Sequence, residues 1–353
     1  MQSDITGSFS PPSTTIVDRL RYRAEHQGPQ TAYTFLVDGE DEKLEMSYEQ
    51  IDQSAKAIAA ELQKHNLGGE RALLLFPPGL EFITAFFGCL YAGVVAVPAY
   101  PPRRNRNMVR IQAIAEDAQA KVALTTATVS DRIIPMLDET PLLKKIRWIS
   151  TDLVPLKTYE NWHEPEISSE TLAFLQYTSG STGTPKGVML SHANMIHNSA
   201  LISYAFEHTR SGKAVFWLPM YHDMGLIGGM LQPMQIGHPN ISMSPMAFLQ
   251  QPYRWLRAIS KHQGTISGGP NFAYELCVQK VTQEQLEKLD LSSWELAFNG
   301  AEPVRPETID RFVKKFEPCG FRREAFYPCY GMAEATLIIT GGMKKSAPVV
   351  RAV

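Results

Sequence analysis

Short apolar runs alternate with amphipathic segments along the first half of the chain. In residues 47–65, Ile51, Ala55 and further apolar residues recur at helical spacing, which predicts an amphipathic helix. The runs RALLLF and KVALTT are short, largely apolar and bounded by charged, polar or proline residues, as is typical of buried strands. This alternation predicts an α/β fold in which helices cover both faces of a parallel sheet.

One uncharged stretch, from Phe82 to Pro102, nearly reaches the length of a membrane span. Gly93 and the β-branched run VVAV favour a different interpretation, in which a helix ends and a buried strand begins. Pro98 then closes that strand. We therefore expect no integral membrane span.

After a polar, proline-containing segment at residues 155–170, the second half of the chain shows the same alternation of strand-like and helical segments. Strand-like LAFLQYT, a helical run and strand-like KAVFWLP follow one another there. The polar segment predicts a boundary between two α/β subdomains, residues 1–160 and residues 161–353.

Composition excludes several classes of protein. The chain has 353 residues and a net charge of −2, which argues against a nucleic-acid-binding surface with clustered cations. Its four cysteines are widely separated, so reduced thiols are expected rather than a disulfide framework or a zinc site. The polar N-terminus lacks a signal-peptide pattern, and we expect a cytoplasmic protein.

The least ordinary segment is QYTSGSTGTPKGVMLSH, residues 176–192. Gly180 and Gly183 allow a ligand to approach the backbone closely, and hydroxyl and N–H groups in such a loop form an anion-binding concavity. Lys186 adds a point charge suited to phosphate. The segment therefore predicts a loop that binds a polyphosphate.

Two other interpretations of this loop are weaker. A Walker P-loop requires glycine before the lysine and a hydroxyl residue after it, whereas this chain has Pro185 and Gly187 at those positions. A flexible Gly/Ser linker is common in proteins, but the apolar strand directly in front of the loop makes a linker less favoured.

The segment YTSGSTGTPKGVMLSH resembles the phosphate-loop signature of the adenylate-forming enzymes, and every fixed position matches. That family includes acyl-CoA synthetases, peptide-synthetase adenylation domains and luciferases. FWLPMYHDMGL, FNGAEPV and YPCYGMAEATL follow in the family's order and resemble its acyl-site, adenine and magnesium motifs. The resemblance runs from about Ser47 to the end of the chain.

The resemblance implies the fold of the family's large N-terminal domain. That fold has two β-sheet subdomains with flanking helices in αβαβα-like layers. The second subdomain is expected to carry the phosphate loop, the acyl site and the adenine site. A third, β-barrel-like subdomain is expected to be only partly present, and the C-terminal lid domain to be absent.

Four segments together look most like the fatty acyl-AMP ligases: VPAYPPRRNRN, PMYHDMGLIGGM, SGGPNFAYELCVQKV and YGMAEATL. Those enzymes convert a fatty acid and ATP into an acyl-adenylate and pyrophosphate. They then transfer the acyl group to the phosphopantetheine thiol of an acyl carrier protein or a synthase carrier domain. A fatty acyl-CoA synthetase is the alternative within enzymes, and a non-catalytic acyl- or nucleotide-binding module is the alternative of another class.

The resemblance also assigns roles to individual residues. The β- and γ-phosphates of ATP are expected to contact Thr178, Ser179, Gly180, Ser181, Thr182, Gly183 and Lys186. The adenine site is expected at Gly300, Ala301, Glu302, Tyr330 and Gly331. The acyl site is expected at His222, Gly228, Gly229, Gly269 and Phe272.

Lys186, Glu334 and His222 are the candidate catalytic residues. By resemblance Glu334 holds Mg²⁺, an ion that often bridges phosphates and one or two carboxylates. Ordinary structural roles stay open: Glu334 as a solvated carboxylate at a helix start, and Tyr330 as a core aromatic. His222 either contacts the acyl pocket or is simply a hydrogen-bonded structural residue.

Two features depart from the family's pattern. Many relatives have threonine or serine where this chain has Ala333, so the α-phosphate needs another donor. The run GGMKKSAPVVRAV ends without a helix cap, and we expect a ribose-binding aspartate and a C-terminal lysine beyond Val353. A chain of this length is then expected to bind ATP or acyl-adenylate weakly and to be a poor catalyst.

A group of arginines lies in the loop after the uncharged stretch, at Arg103, Arg104, Arg106 and Arg110. These cations are candidates for contact with an acidic carrier protein. The alternative is an ordinary solvated loop.

Overall fold

Strands and helices alternate through the computed structural model, which describes residues 14–101, 108–178 and 185–350. Its strands are β1 (Thr31–Leu36), β2 (Lys43–Ser47), β3 (Arg71–Leu74), β4 (Val95–Pro98), β5 (Val122–Thr125), β6 (Arg147–Ser150), β7 (Leu172–Thr178), β8 (Lys186–Ser191), β9 (Ala214–Phe216), β10 (Asn240–Met243), β11 (Ile266–Gly269), β12 (Leu296–Asn299), β13 (Phe326–Gly331) and β14 (Ile338–Gly341). Its α-helices are α1 (Ile16–Gln27), α2 (Tyr48–Lys64), α3 (Leu80–Tyr91), α4 (Met108–Asp117), α5 (Ala127–Ile133), α6 (Pro141–Lys145), α7 (His192–Ala205), α8 (Gln232–Ile236), α9 (Pro245–Gln250), α10 (Tyr253–His262), α11 (Asn271–Lys280), α12 (Gln283–Leu286) and α13 (Pro306–Phe316).

The strands form two sheets. The large sheet has eight strands in the order β14-β13-β12-β11-β9-β10-β1-β2, and the small sheet has six in the order β6-β5-β3-β4-β7-β8. Neighbouring strands are parallel except at three outer pairs, β1 with β2, β13 with β14 and β7 with β8. The parallel sheet predicted from the βα alternation is confirmed for the interior of both sheets.

The two sheets do not divide the chain at residue 160. The early strands β1 and β2 belong to the large sheet, whereas β7 and β8, which follow the polar segment, belong to the small sheet. Part of that polar segment packs against the end of α3. The Trp162 indole N–H donates a hydrogen bond to the Tyr91 carbonyl at 2.8 Å. The subdomain boundary between residues 1–160 and 161–353 stays a prediction, but it does not coincide with a division between sheets.

The sheets and helices stack in five layers. In β3, Ala72 and Leu74 belong to the core shared with α2 and α3, whereas Leu73 belongs to the core on the opposite face under α4. The shared core also includes Tyr33 of β1, so α2 and α3 lie between the two sheets. Helices α10, α11 and α13 cover the other face of the large sheet with residues such as Trp255. The expected αβαβα-like layering is confirmed, and the described residues contain no closed barrel.

The uncharged stretch forms a buried helix and a buried strand, as predicted. Helix α3 ends at Tyr91 and β4 begins at Val95, with Gly93 between them. Within the described ranges, we find no helix with the length and apolar character needed to cross a bilayer.

The cysteines carry no disulfide. Cys89, Cys277 and Cys319 are buried, Cys329 is half-buried, and all four thiols are free. Burial raises the pKa of Cys329 to about 12, which keeps this thiol protonated near neutral pH.

Helix α7 begins immediately after β8 because its first turn is capped on both sides. The Ser191 hydroxyl accepts a hydrogen bond from the Asn194 backbone N–H at 3.3 Å. The Asn194 side chain in turn accepts from the Ser191 N–H at 2.9 Å. This capping box fixes α7 directly behind the β7–β8 hairpin.

Acid should destabilise the protein through His192. Its buried Nδ1 accepts a hydrogen bond from the Ile16 N–H at 3.2 Å, and burial lowers the pKa of His192 from 6.5 to about 4. The neutral ring contributes stability that is fully present above pH 6.5. That stability is lost as pH falls from 6.5 to about 4, since the unfolded chain is protonated first.

We predict that His192→Gln reduces this pH dependence, because glutamine can accept the same bond without titrating. The difference between wild type and variant should reach on the order of 3 kcal/mol across that range, measured by urea unfolding from pH 4 to pH 8. His197→Gln, at an exposed position of α7, is the control and should leave the slope unchanged. Equal slopes for wild type and His192→Gln would contradict the prediction.

Candidate functional site

The β7–β8 hairpin flanks the loop to which the sequence assigns phosphate binding. Residues 179–184, with the predicted Ser179, Gly180, Ser181, Thr182 and Gly183, lie outside the described residues. Thr178 and Lys186 are paired across the two strands on either side of that loop. Cross-strand partners lie on the same face of a sheet, so the exposed Lys186 side chain projects on the side of Thr178.

Packing of one tyrosine explains the glycine that follows Lys186. Tyr177 is paired with Gly187 across the hairpin, and its hydroxyl donates to the Asp117 carboxylate at 2.5 Å. A Cβ atom at position 187 would lie 3.0 Å from the Tyr177 ring. Gly187, which distinguishes this loop from a Walker loop, therefore makes room for the ring that ties the hairpin to α4.

A cavity of about 290 Å³ joins this hairpin to the large sheet. The sequence-predicted residues on its wall are Thr178, His222, Gly228, Gly300, Ala301, Tyr330, Gly331 and Glu334. The remaining wall residues are Ile202, Phe206, His208, Phe216, Asp223, Met224, Gln232, Ile266, Phe298, Cys329, Met332, Ala333, Leu337 and Ile338. The cavity thus has a polar region near the strand ends and a largely apolar interior.

The cavity extends along the strands of the large sheet. Gly300 and Tyr330 lie at the carboxyl ends of β12 and β13, whereas Ile266 begins β11. Ile266 is paired with Leu296, four residues before Gly300. At a rise of about 3.3 Å per residue, these two parts of the wall lie roughly 13 Å apart.

The part of the cavity wall at the end of β12 contains a residue with an unusual backbone conformation. Ala301 has φ of +66°, a left-handed conformation that costs a residue with a side chain more than it costs glycine. Such outliers cluster at functional sites because the surrounding structure holds them in place. The outlier directs the chain out of β12 beside Tyr330, whose side chain is 58% exposed.

Glu334 lies on a tightly folded segment. It is the central residue of a 3₁₀ helix, Ala333–Ala335, and is followed by Thr336 with φ of +73°. The Met332 N–H donates to the Leu337 carbonyl at 2.9 Å, which closes the segment on itself. A Cβ atom at Gly331 would collide with that carbonyl, so only glycine fits there.

Asn198 of α7 holds this segment from the side. Its buried amide donates to the carbonyls of Ala335 at 3.2 Å and Ile338 at 3.0 Å. Its carbonyl oxygen accepts from the Ile338 N–H at 3.1 Å. Three of the four hydrogen-bonding positions of the amide are used, and the segment that carries Glu334 is thereby fixed to α7, the helix that follows the β7–β8 hairpin.

His222 forms an ion pair at the edge of the cavity. Its Nδ1 lies 2.6 Å from the Asp223 carboxylate, and its side chain is 53% exposed. The hydrogen bond to Asp223 raises the pKa of His222, and partial burial opposes that shift. Asp223 also accepts from the Met224 N–H at 2.7 Å, at the start of a π-helix, Met224–Leu231. π-helical turns are frequent at functional sites.

Among the predicted residues that the structure describes, five do not line the cavity. Gly229 packs beside Phe216, and Gly269 packs beside the Trp217 indole, which stacks on Phe248. The residues placed outside the wall are Lys186, Gly229, Gly269, Phe272 and Glu302.

Two of these five have other contacts. Phe272 is 43% exposed and contacts Trp217, with 6.0 Å between the ring centroids. The Glu302 carboxylate accepts from the Phe272 N–H at the start of α11. The roles assigned to both residues by resemblance stay predictions.

Sequence reasoning missed two polar residues on the cavity wall, His208 and Gln232, and one residue that supports the wall, Asn198. Asn198, His208 and Gln232 have no motif of their own, and their roles come from contacts between distant parts of the chain. A polar residue inside an apolar helical pattern, such as Asn198 in ANMIHNSALISYAF, was the available signal. Thr336, three residues after Ala333, is buried and does not line the cavity.

The side chains of this cavity fit a metal ion whose coordination comes mainly from a bound molecule and water. Across the described ranges, no group of three or more His, Cys, Asp or Glu side chains could hold a metal ion. Glu334 offers one exposed carboxylate on the wall. One carboxylate suits Mg²⁺, which commonly completes its coordination with phosphate oxygens and water.

We predict that Asn198→Ala lowers the free energy of unfolding by about 2 kcal/mol, because two carbonyls and one N–H lose their partner. The measurement is urea unfolding followed by circular dichroism. Tyr204→Ala, at a 71% exposed position of α7, is the matched control and should change stability by less than about 0.5 kcal/mol. Equal stability of Asn198→Ala and wild type would contradict the role given to the amide.

Comparison with known proteins identifies the family to which the chain belongs. The family model of AMP-binding enzymes matches residues 20–351. The chain is 51% identical over 334 residues to the medium-chain-fatty-acid–acyl-carrier-protein ligase JamA of Moorena producens (strain JHB), with 94% of this chain and 56% of that protein covered. It is 38% identical over 371 residues to the ligase of the same description, TtuA, of Teredinibacter turnerae (strain ATCC 39867 / T7901), with 95% and 58% covered.

A solved structure is similar in fold as well as sequence. The fatty acyl-adenylate ligase from L. pneumophila in complex with acyl adenylate and pyrophosphate superposes with a TM-score of 0.89 at 47% identity, covering 94% of this chain and 58% of that one. The chain thus spans a little more than half the length of the relatives it matches. With a family model matched over nearly its whole length, the chain belongs to the AMP-binding enzymes.

Proposed function

We propose that this chain carries the nucleotide and acyl sites of a fatty acyl-AMP ligase. The enzyme uses ATP to convert a fatty acid into an acyl-adenylate with release of pyrophosphate, and then transfers the acyl group to the phosphopantetheine thiol of an acyl carrier protein. One observation carries the proposal: a single cavity connects Thr178 of the phosphate hairpin and the Glu334 carboxylate with a long apolar interior. The names of JamA, TtuA and the L. pneumophila ligase support it.

The first reaction brings two anions together. The fatty carboxylate attacks the α-phosphorus of ATP, its new P–O bond replaces the bond to pyrophosphate, and pyrophosphate leaves. Catalysis of such a step depends on positioning and on screening of negative charge. Lys186, on the face of Thr178, supplies a cation at the leaving phosphates, and the hydroxyls and N–H groups of residues 178–183 supply donors.

The nucleotide base is assigned to the carboxyl ends of β12 and β13. Gly300 and Ala301 form one side of that region, and Gly331 and Tyr330 the other. The exposed face of the Tyr330 ring suits stacking on adenine. Glu302 is assigned to this site by resemblance alone, since its carboxylate contacts the Phe272 N–H.

Mg²⁺ is assigned to Glu334. When bound, it neutralises phosphate charge and orients the triphosphate. The chain's own contribution is the rigid support of that carboxylate by Asn198 and by the closed 332–337 turn.

The fatty acid is assigned to the apolar interior, with its carboxylate near His222. A fatty carboxylate is already ionised at pH 7, so no general base is required. The hydrogen bond that the His222 ring donates to the Asp223 carboxylate raises the pKa of His222, which favours a charged ring beside an anionic carboxylate. Gly228 lines this interior. Gly229 lies against Phe216, whereas Gly269 and Phe272 lie against Trp217, and these three residues are assigned to the acyl site by resemblance alone.

The acceptor is assigned as a carrier-protein thiol, as in the names of JamA and TtuA. Arg110, at the exposed start of α4, is a candidate contact for an acidic carrier, and Arg103, Arg104 and Arg106 lie outside the described residues. A cytoplasmic location is part of this proposal and agrees with four free thiols.

We predict that Lys186→Ala and Glu334→Gln each lower acyl-adenylate formation by at least about 100-fold, since each removes charge stabilisation of the phosphates. The measurement traps the acyl-adenylate with hydroxylamine in the enzyme at its native length. Lys121→Ala and Glu324→Gln, both at exposed positions outside the cavity, are the controls and should retain wild-type rates. Unchanged rates in Lys186→Ala and Glu334→Gln would favour a non-catalytic binding module.

We predict that the enzyme at its native length acylates a holo acyl carrier protein much faster than it forms acyl-CoA. The reason is that the proposed partner presents the same thiol on a protein surface, which adds contacts that free coenzyme A lacks. Mass spectrometry of the carrier and chromatography of acyl-CoA measure the two products at equal thiol concentration. Rapid formation of acyl-CoA would support the fatty acyl-CoA synthetase instead.

A further inference from the structure

One side of the helical segment that begins at Met224 forms a wall of the cavity. Met224, Gly228 and Gln232 all line the cavity and follow one another at intervals of four residues. Residues at this spacing lie on nearly the same side of a helix. The wall begins next to His222 at the edge of the cavity and ends at Gln232, whose amide lies 3.1 Å from Nδ1 of the buried His208. Gly228 is therefore in the middle of this wall.

Gly228 differs from the two other glycines of the π-helix. A Cβ atom at Gly225 would collide with the Pro219 carbonyl oxygen, and one at Gly229 would contact the Phe216 ring. Both of these glycines are buried, and neither lines the cavity. Gly228 is the one residue of the π-helix that is not buried. The space beside Gly228 is therefore the cavity and not the packed interior of the protein.

A side chain at position 228 would project into this space. Apart from chain neighbours and the helix backbone, the one atom of the described residues within 4 Å of an added Cβ is Cδ2 of Leu337, at 3.3 Å. Leu337 also lines the cavity, and its side chain is only partly buried. Even a methyl group at position 228 would therefore take volume from the cavity, next to the turn that carries Glu334.

We propose that Gly228 is a specificity-determining residue, whose missing side chain lets a medium or long fatty chain pass into the apolar interior. This inference rests on the proposed function, since it places the carboxyl end of the chain near His222. Gly228 is five residues after Asp223. At a rise of about 1.5 Å per residue, the two lie no more than about 8 Å apart along the helix axis. C–C bonds of about 1.5 Å advance an extended acyl chain by about 1.3 Å per carbon, so the chain reaches Gly228 at about its sixth carbon.

Acyl chains of different length would meet Gly228 differently. A butanoyl chain ends before this residue. A decanoyl chain extends past it and matches the roughly 13 Å of the cavity along the strands. A side chain at position 228 should therefore weaken binding of the longer chain selectively. A purely structural effect, passed through Leu337 to the Glu334 turn, would weaken both chains equally.

The test measures binding of two stable analogues of the acyl-adenylate to the enzyme at its native length by isothermal titration calorimetry. Both are acyl sulfamoyl adenosines, one butanoyl and one decanoyl. We expect Gly228→Ala to weaken the decanoyl analogue about 10-fold and the butanoyl analogue less than about 2-fold, because one extra methyl group in a fitted apolar pocket has an effect of this size. Gly228→Leu should weaken the decanoyl analogue further.

The butanoyl analogue also reports whether each variant keeps a folded nucleotide side, and circular dichroism checks the fold independently. Gly68→Ala is the control, at an exposed position outside the cavity where an added Cβ would lie 3.8 Å from the nearest atom, the Ala92 carbonyl oxygen. It should retain both affinities. Equal losses for the two analogues in Gly228→Ala, or no loss for either, would overturn the inference and leave the proposed function intact. Binding of neither analogue to the wild-type enzyme would overturn both.

Discussion

The two sheets are held in place by one layer of helices that both of them bury. Helices α2 and α3 pack against β1 on one side and against β3 on the other, and all four contribute to a single hydrophobic core. Burial of apolar surface on two faces at once leaves little freedom for either sheet to slide. The cavity forms between the sheets as a consequence, with the β7–β8 hairpin of the small sheet opposite the strand ends of the large one.

A small number of polar contacts then hold the walls of that cavity in place. Tyr177 ties the hairpin to α4 through Asp117, and Asn198 ties the Glu334 segment to α7. Two of the residues with positive φ lie at this site, Ala301 on the cavity wall and Thr336 directly after the helical turn that carries Glu334. Strain of this kind persists only where the surrounding structure is rigid, which is consistent with a site organised before its ligand binds.

Local sequence pattern predicted most elements but not their assignment to sheets. The strand LAFLQYT corresponds to β7, and the helix predicted at residues 47–65 corresponds to α2, because periodicity and capping are local properties. The pairing of β1 with β10 joins residues about 200 positions apart, and no local pattern encodes it. The same holds for the site: motifs located Glu334 and Tyr330, whereas Asn198 and His208 are defined by contacts between distant segments. Glu302 follows the end of β12, as the cavity residues Gly300 and Ala301 do. Its carboxylate nevertheless accepts a hydrogen bond from the Phe272 N–H at the start of α11.

The three hydrogen bonds of Asn198 have a mechanical consequence. Helix α7 is continuous with β8 through the Ser191 cap, and through Asn198 it is bound to the turn that carries Glu334. The β7–β8 hairpin and the turn that carries Glu334 are thereby attached to the same helix. Because the hairpin and the Glu334 turn share this support, we expect a displacement of one to be transmitted to the other, so that the two walls keep their spacing.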